Sequence, residues 1–203
     1  MIPKVVENMK ALINKTIFMN NYVKPIRLEY SDNDTYCGDT VVTIYDDYKI
    51  SLVLTDDCGA VIDNKVFFPK RGDIMIFRPN EIHFGRFPKP NEYRFISFYI
   101  PVDFFDTVFP AGRYILSPFF DTSDDRINLL RLPEAYKNKM INMAEELLQI
   151  LKDDGETWRF DLIAFAKLIE ALDICSQCYP LQKDRPAPAS IPFLVTKTME
   201  EID

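Results

Sequence analysis

The 203-residue chain has one histidine, His83, inside "RGDIMIFRPNEIHFGRF" (residues 71–87). A lone imidazole in a stretch punctuated by Gly and Pro is open to four uses: metal ligand, catalytic base, ligand contact or packed side chain. A transition-metal site needs more than one imidazole, and Glu81 and Asp73 nearby suit a hard cation at best. Glu81 and His83 share one face of an extended segment. A carboxylate beside an imidazole is the arrangement of a general base, and equally that of an ion pair on a loop rim. No Ser or Cys nucleophile stands at a telling spacing, so no catalytic residue is expected. Cys175-Ser-Gln-Cys178 has C-x-x-C spacing, but it closes a helix, where the dipole opposes a thiolate. Cys37 and Cys58 are isolated in separate turns and complete no zinc set. Gly72 has no phosphate-loop companions, and Lys70 and Arg71 fit a solvated turn. Neither metal nor cofactor is expected.

The elements that must carry these residues follow from the pattern. Residues 5–19 fit a short helix or an arm. "KPIRLEY" (24–30) is strand-like, followed by a polar turn, "SDNDTYCGD". "TVVTIYD" (40–46) and "KISLVLT" (49–55) read as strands. "AVID" and "KVFF" flank Asn64 as a tight hairpin. "IMIF" (74–77) is a strand stopped by Pro79, and "YRFISFYI" (93–100) is a strand closed by Pro101. Residues 102–109 fit one or two helical turns, and 110–133 are irregular. From 137 to 152 the apolar residues form one helical stripe. Residues 157–178 form a longer helix whose apolar residues cover more than one face. Trp158, Leu162, Phe165, Leu168 and Leu172 are the candidates for a homodimer surface there, the alternative being an internal helix of one monomer. Strands followed by two helices give a mainly β fold with an α annex, a β-barrel or sandwich.

Composition narrows the partners. A net charge of −7 argues against phosphate-backbone binding by this chain alone. No apolar run is long enough to span a bilayer, and "MIPKVVENMKALINKTIFMNNY" lacks a signal-peptide core. Four cysteines without a framework spacing point to a cytoplasmic protein with no membrane partner.

"FPKRGDIMIFRPNEIHFGRF" followed by "YRFISFYIP" resembles the N-terminal effector-binding and dimerisation domain of the AraC/XylS transcription regulators, a regulatory cupin. The pattern lies in Gly72-Asp73-Ile74, Phe77-Arg78-Pro79, Glu81-Ile82-His83 and Gly85-Arg86, with looser similarity over about residues 40–178. The resemblance implies a cupin-like β-barrel (jelly roll) followed by two antiparallel helices that dimerise. It also implies a small effector, often a sugar, in the barrel, and DNA contacted only through a C-terminal domain absent from this chain. The expected division is residues 1–23 as an arm, 24–133 as the effector-binding barrel, 134–178 as the dimerisation helices, and 179–203 as a linker and the start of a DNA-binding domain. The runner-up is a free-standing sugar-binding cupin or small cupin-type enzyme.

His83 matches the position of a pocket histidine in an arabinose-binding member of the family. Thr55 and Ile96 stand where that member has an arginine and a tryptophan, so arabinose itself is not implied. Arg94 and Ser97 lie on opposite faces of one strand, so one of them must look inward. Tyr45, Phe84, Ile96 and Phe98 are the candidate apolar walls. The aromatics at 93, 95, 98 and 99 fit either a pocket lining or a closed core.

Overall fold

Alternating side chains shape the computed structural model, which describes residues 9–18, 24–40, 42–56, 58–108, 110–154, 158–183 and 191–192. The strands are β1 (Met9–Phe18), β2 (Ile26–Asp39), β3 (Tyr48–Val53), β4 (Gly59–Ile62), β5 (Lys65–Phe67), β6 (Ile74–Phe77), β7 (His83–Ile100), β8 (Leu129–Leu130) and β9 (Ile191–Pro192). The helices are α1 (Phe104–Val108), α2 (Ser117–Phe120), α3 (Glu134–Asp154) and α4 (Trp158–Lys183), with a 3-10 helix at Pro110–Leu116.

The long strand β7 organises the sheet. Its C-terminal half pairs antiparallel with β3 on one side and β2 on the other, and its N-terminal half pairs with β4. β3 continues to β6 and β8, β4 to β5, and β2 to β1. The β4–β5 hairpin turns through Asp63 and Asn64, whose φ values of 45° and 64° are those of a two-residue turn matched to strand twist. Gly72, at φ 85°, lets the next turn close before β6.

Alternation sends successive residues of these strands to two different interiors. Ile50, Leu52, Ile74, Ile76, Ile96, Phe98 and Ile100 face one core, shared with Phe104, Phe119, Met143, Phe160 and Leu168 of the helical layer. Val53, Met75 and Phe77 face the other, with Cys58, Ile62 and Leu129. Because both faces are covered, β6 is buried along its whole length. α3 and α4 form an antiparallel pair, held by Lys139–Glu170 at 2.8 Å and Lys167–Glu146 at 2.7 Å. The fold is thus mainly β with an α annex, as expected.

Several elements differ from the sequence reading. Met9–Phe18 is a strand rather than a helix: it pairs with β2, and Ile17 reaches the core. The polar "SDNDTYCGD" continues β2 through register shifts, because pairing with β7 uses its backbone and not its side chains. β7 likewise runs unbroken through 88–92. The described residues of 40–46 form no strand; Thr43 makes an isolated bridge to His83. Residues 179–183, read as linker, form the last turn of α4, and Tyr179 is buried there. The remainder of the segment expected as linker and start of a DNA-binding domain, 184–190 and 193–203, lies outside the described residues, as do residues 1–8 and 19–23 of the arm.

The expected dimer helix needs a larger correction. Leu168 and Leu172 are fully buried in this chain's own core. α4 is apolar on several faces because β1, β8, α2, α3 and the 3-10 helix all pack on it. Phe165 is partly buried against Phe104, whereas Leu162 is 60% exposed. The side chain of Trp158 lies outside the described residues.

Candidate functional site

Where the alternating residues of β2, β3, β6 and β7 turn inward, they leave a cavity of about 290 Å³. That is near the small end of ligand pockets, about 300–1,000 Å³. Its lining includes Tyr45, Lys49, Phe77, His83, Phe84 and Phe95. Four of the seven sequence-predicted ligand residues border it: His83, Tyr45, Phe84 and Arg94. Ser97 is fully buried and reaches the site through Ser51, their hydroxyls 2.6 Å apart. Ile96 and Phe98 do not belong to the cavity. They project from the opposite face of β7 into the core beneath the helices, as the two-residue period requires once Phe95 and Ser97 point inward. The Arg94 side chain lies toward Tyr30 on β2, where the guanidinium opposes the burial that pushes that phenol's pKa up to about 12.

His83 opens β7 and is 6% exposed. Its Nδ1 lies 3.0 Å from the Glu81 carbonyl oxygen. That oxygen can only accept, so Nδ1 donates and the neutral ring turns a lone pair outward at Nε2. Nε2 is buried and has no hydrogen-bond partner among the described residues. The ring packs on Phe77 at 4.5 Å and Tyr45 at 5.4 Å. Burial holds the imidazole pKa down to about 4, so the ring is neutral at physiological pH.

Glu81 does not form the acid–base pair that its spacing allowed. Its backbone meets His83, while its carboxylate turns away and is consumed elsewhere. It accepts from the Arg78 backbone N–H at 2.8 Å, Asn128 Nδ2 at 2.9 Å and Arg126 Nε at 3.2 Å. The Arg78 guanidinium donates to the Pro118 carbonyl at 2.7 Å and to the Tyr179 hydroxyl at 3.0 Å. Tyr179 donates in turn to Asp121, which also binds Lys183. A continuous polar network therefore joins the turn before His83 to the end of α4.

Two inward residues were not singled out in the sequence. Lys49 on β3 is 8% exposed, its ammonium 5.0–5.7 Å from the ring centroids of Tyr99, Phe77, Tyr45 and Phe95. Burial lowers its pKa to about 8. Glu29 on β2 accepts a hydrogen bond from the Tyr99 hydroxyl at 2.9 Å. The available signal was the alternation itself, Glu29/Ser31 and Lys49/Ser51, a polar face that reads like solvent and instead turns to the interior. Cys175 and Cys178 are buried, and burial pushes the Cys175 pKa well up. Among the described residues no three His, Cys, Asp or Glu side chains gather as a metal ligand set, and no helix is long and apolar enough to cross a membrane.

Comparison with known proteins follows the same lines. No curated protein matches the chain. Among solved structures, a cupin 2 conserved barrel domain protein from Salinispora arenicola is 14% identical, with a TM-score of 0.38, over 47% of this chain and 80% of that one. A cupin superfamily protein from Desulfitobacterium hafniense is 9% identical, with a TM-score of 0.36, over 45% and 79%. An RmlC-like cupin with a double-stranded β-helix fold from Methanocaldococcus jannaschii is 13% identical, with a TM-score of 0.37, over 50% and 93%. The AraC-like ligand binding domain family matches residues 40–172, which span β3 to β8, α3, most of α4 and the cavity lining apart from Glu29. With well over half of its length matched, this chain belongs to the family of AraC-like ligand-binding domains, cupin-type barrels associated with small-molecule sensing.

Proposed function

We propose that this chain is the sensing and dimerisation domain of a cytoplasmic DNA-binding transcription regulator, and that its barrel takes up a sugar or related polyol. The observation that carries the reading is His83 Nε2, a buried acceptor at the wall of a cavity with no partner among the described residues. A buried polar atom left unpaired costs about 1–3 kcal/mol, and a ligand hydroxyl removes that cost. The domain acts by binding and not by catalysis: the Glu81 carboxylate is committed to Arg78, Asn128 and Arg126, so no carboxylate backs the imidazole as a base. DNA is contacted by a separate C-terminal domain, since the acidic charge of this one repels phosphate.

An effector shifts an equilibrium only if it binds one arrangement better than another. The network from His83 through Glu81, Arg78 and Tyr179 gives a physical route to the end of α4. Dimerisation is assigned to the outer face of α4 around the exposed Leu162, in place of Leu168 and Leu172. A thermal-shift screen of sugars and polyols, followed by calorimetry, tests the ligand assignment. His83→Ala is expected to lose about 1–3 kcal/mol of binding to a sugar that the parent binds. Equal affinity in a folded His83→Ala variant contradicts direct contact.

A further inference from the structure

The Lys49 ammonium is the one cation among the described residues that is enclosed by rings and has no acceptor. Tyr45, Phe77, Phe95 and Tyr99 surround it, and among the described residues it makes no hydrogen bond or ion pair. Ring faces attract a cation, but they cannot satisfy three N–H donors. Glu29, the inward carboxylate on β2, is engaged by the Tyr99 hydroxyl, and Arg27 is held by Asp47 at 3.1 Å. Glu29 is near enough to oppose, by Coulombic attraction, the burial that lowers the Lys49 pKa, but among the described residues it makes no hydrogen bond or ion pair with the ammonium, whose N–H donors are left to the cavity contents.

Lys49 and His83 Nε2 share two walls, the rings of Tyr45 and Phe77. One requires an acceptor, preferably anionic. The other requires a donor. A ligand answering both carries a carboxylate and a hydroxyl a short distance apart. Resting on the sensor reading above, we propose that the effector is a hydroxylated carboxylate of the sugar-acid class, its carboxylate on Lys49 and a hydroxyl donating to His83 Nε2. The Ser51–Ser97 hydroxyl pair lies on the Lys49 face of β3 and β7 and suits the remaining hydroxyls. With Lys49 held near a pKa of 8 by burial, the ammonium is still charged at neutral pH.

Calorimetry at pH 7 with glucuronate and galacturonate, each against glucose and galactose, tests the assignment on the 203-residue chain. The acids are expected to bind at least about tenfold tighter than the matched neutral sugars. Lys49→Met and Lys49→Gln, the second retaining a hydrogen-bonding side chain, are each expected to abolish that preference. His83→Ala should weaken acids that still prefer Lys49. Tighter binding of the neutral sugars, or a preference for acids that survives both Lys49 substitutions, overturns the carboxylate assignment and leaves the sensor reading standing. Binding by neither series overturns the assignment and the polyol reading together.

Discussion

Glu81→Ala should cost about 3–5 kcal/mol of folding stability, although it removes no apolar packing. Glu81 and Arg78 are both buried, with Nη1 and Oε1 3.4 Å apart. Removing one member of a buried ion pair strands the other charge, and that penalty exceeds the worth of the pair itself. The carboxylate also accepts from the Arg78 backbone and from Asn128, so two further donors lose their partner. Arg126 loses less, since it keeps Asp63 at 2.9 Å. Urea unfolding reads the difference in midpoint and slope. The double variant Arg78→Met, Glu81→Met should recover much of the loss, because no lone charge stays buried. A loss below about 1 kcal/mol in Glu81→Ala contradicts a structural role for the network.

Leu168→Ala and Leu162→Ala should differ sharply although they sit six residues apart on one helix. Leu168 is 0% exposed and meets the barrel core, so truncation removes its burial and opens a cavity, costing about 2–5 kcal/mol. Leu162 is 60% exposed, and its truncation should change monomer stability by less than about 0.5 kcal/mol. Thermal melts of the two variants at matched concentration give the comparison. Leu162→Glu should stay folded and reduce the mass in light scattering toward that of a monomer. An unchanged dimeric mass in Leu162→Glu, or a monomeric parent, removes the outer face of α4 as the interface.

The contrast between these two leucines shows where the sequence stops being informative. The apolar content of α4 is plain from residues 157–178, but which faces are covered depends on β1, a strand whose mixed composition reads as an arm or a helix. β3 and the second half of β7 are legible from apolar residues that recur at every second position, and β6 from a short continuous apolar run bounded by turn signals. "SDNDTYCGD" is not legible as strand, because turn-forming residues can still pair through their backbones. The cavity is half legible. The motif around His83 leads to its wall, and Tyr45 and Phe84 follow. Ile96 and Phe98 were placed on the wrong face because apolar character does not distinguish a pocket wall from a helix-packed core. Lys49 and Glu29 escaped notice for the converse reason: polar alternation looks the same whether the polar face meets water or a buried cavity.

The single histidine allows the central claim to be read from one side chain. In a heteronuclear spectrum of imidazole-¹⁵N-labelled protein, His83 should give one ring, protonated at Nδ1 and bare at Nε2, because the Glu81 carbonyl accepts from Nδ1. The ring should stay neutral as the pH falls from 7 to about 5, since burial lowers its pKa to about 4. The unfolded chain takes up the proton near pH 6.5 while the folded one does not. Stability linked to this group is therefore full above about 6.5 and is lost as the pH falls toward 4. Addition of a sugar or sugar acid that binds by calorimetry should move the Nε2 resonance toward that of a hydrogen-bonded nitrogen and leave Nδ1 nearly unchanged. An imidazole already protonated at pH 7, or an Nε2 resonance unmoved at saturation with a verified ligand, would contradict the account.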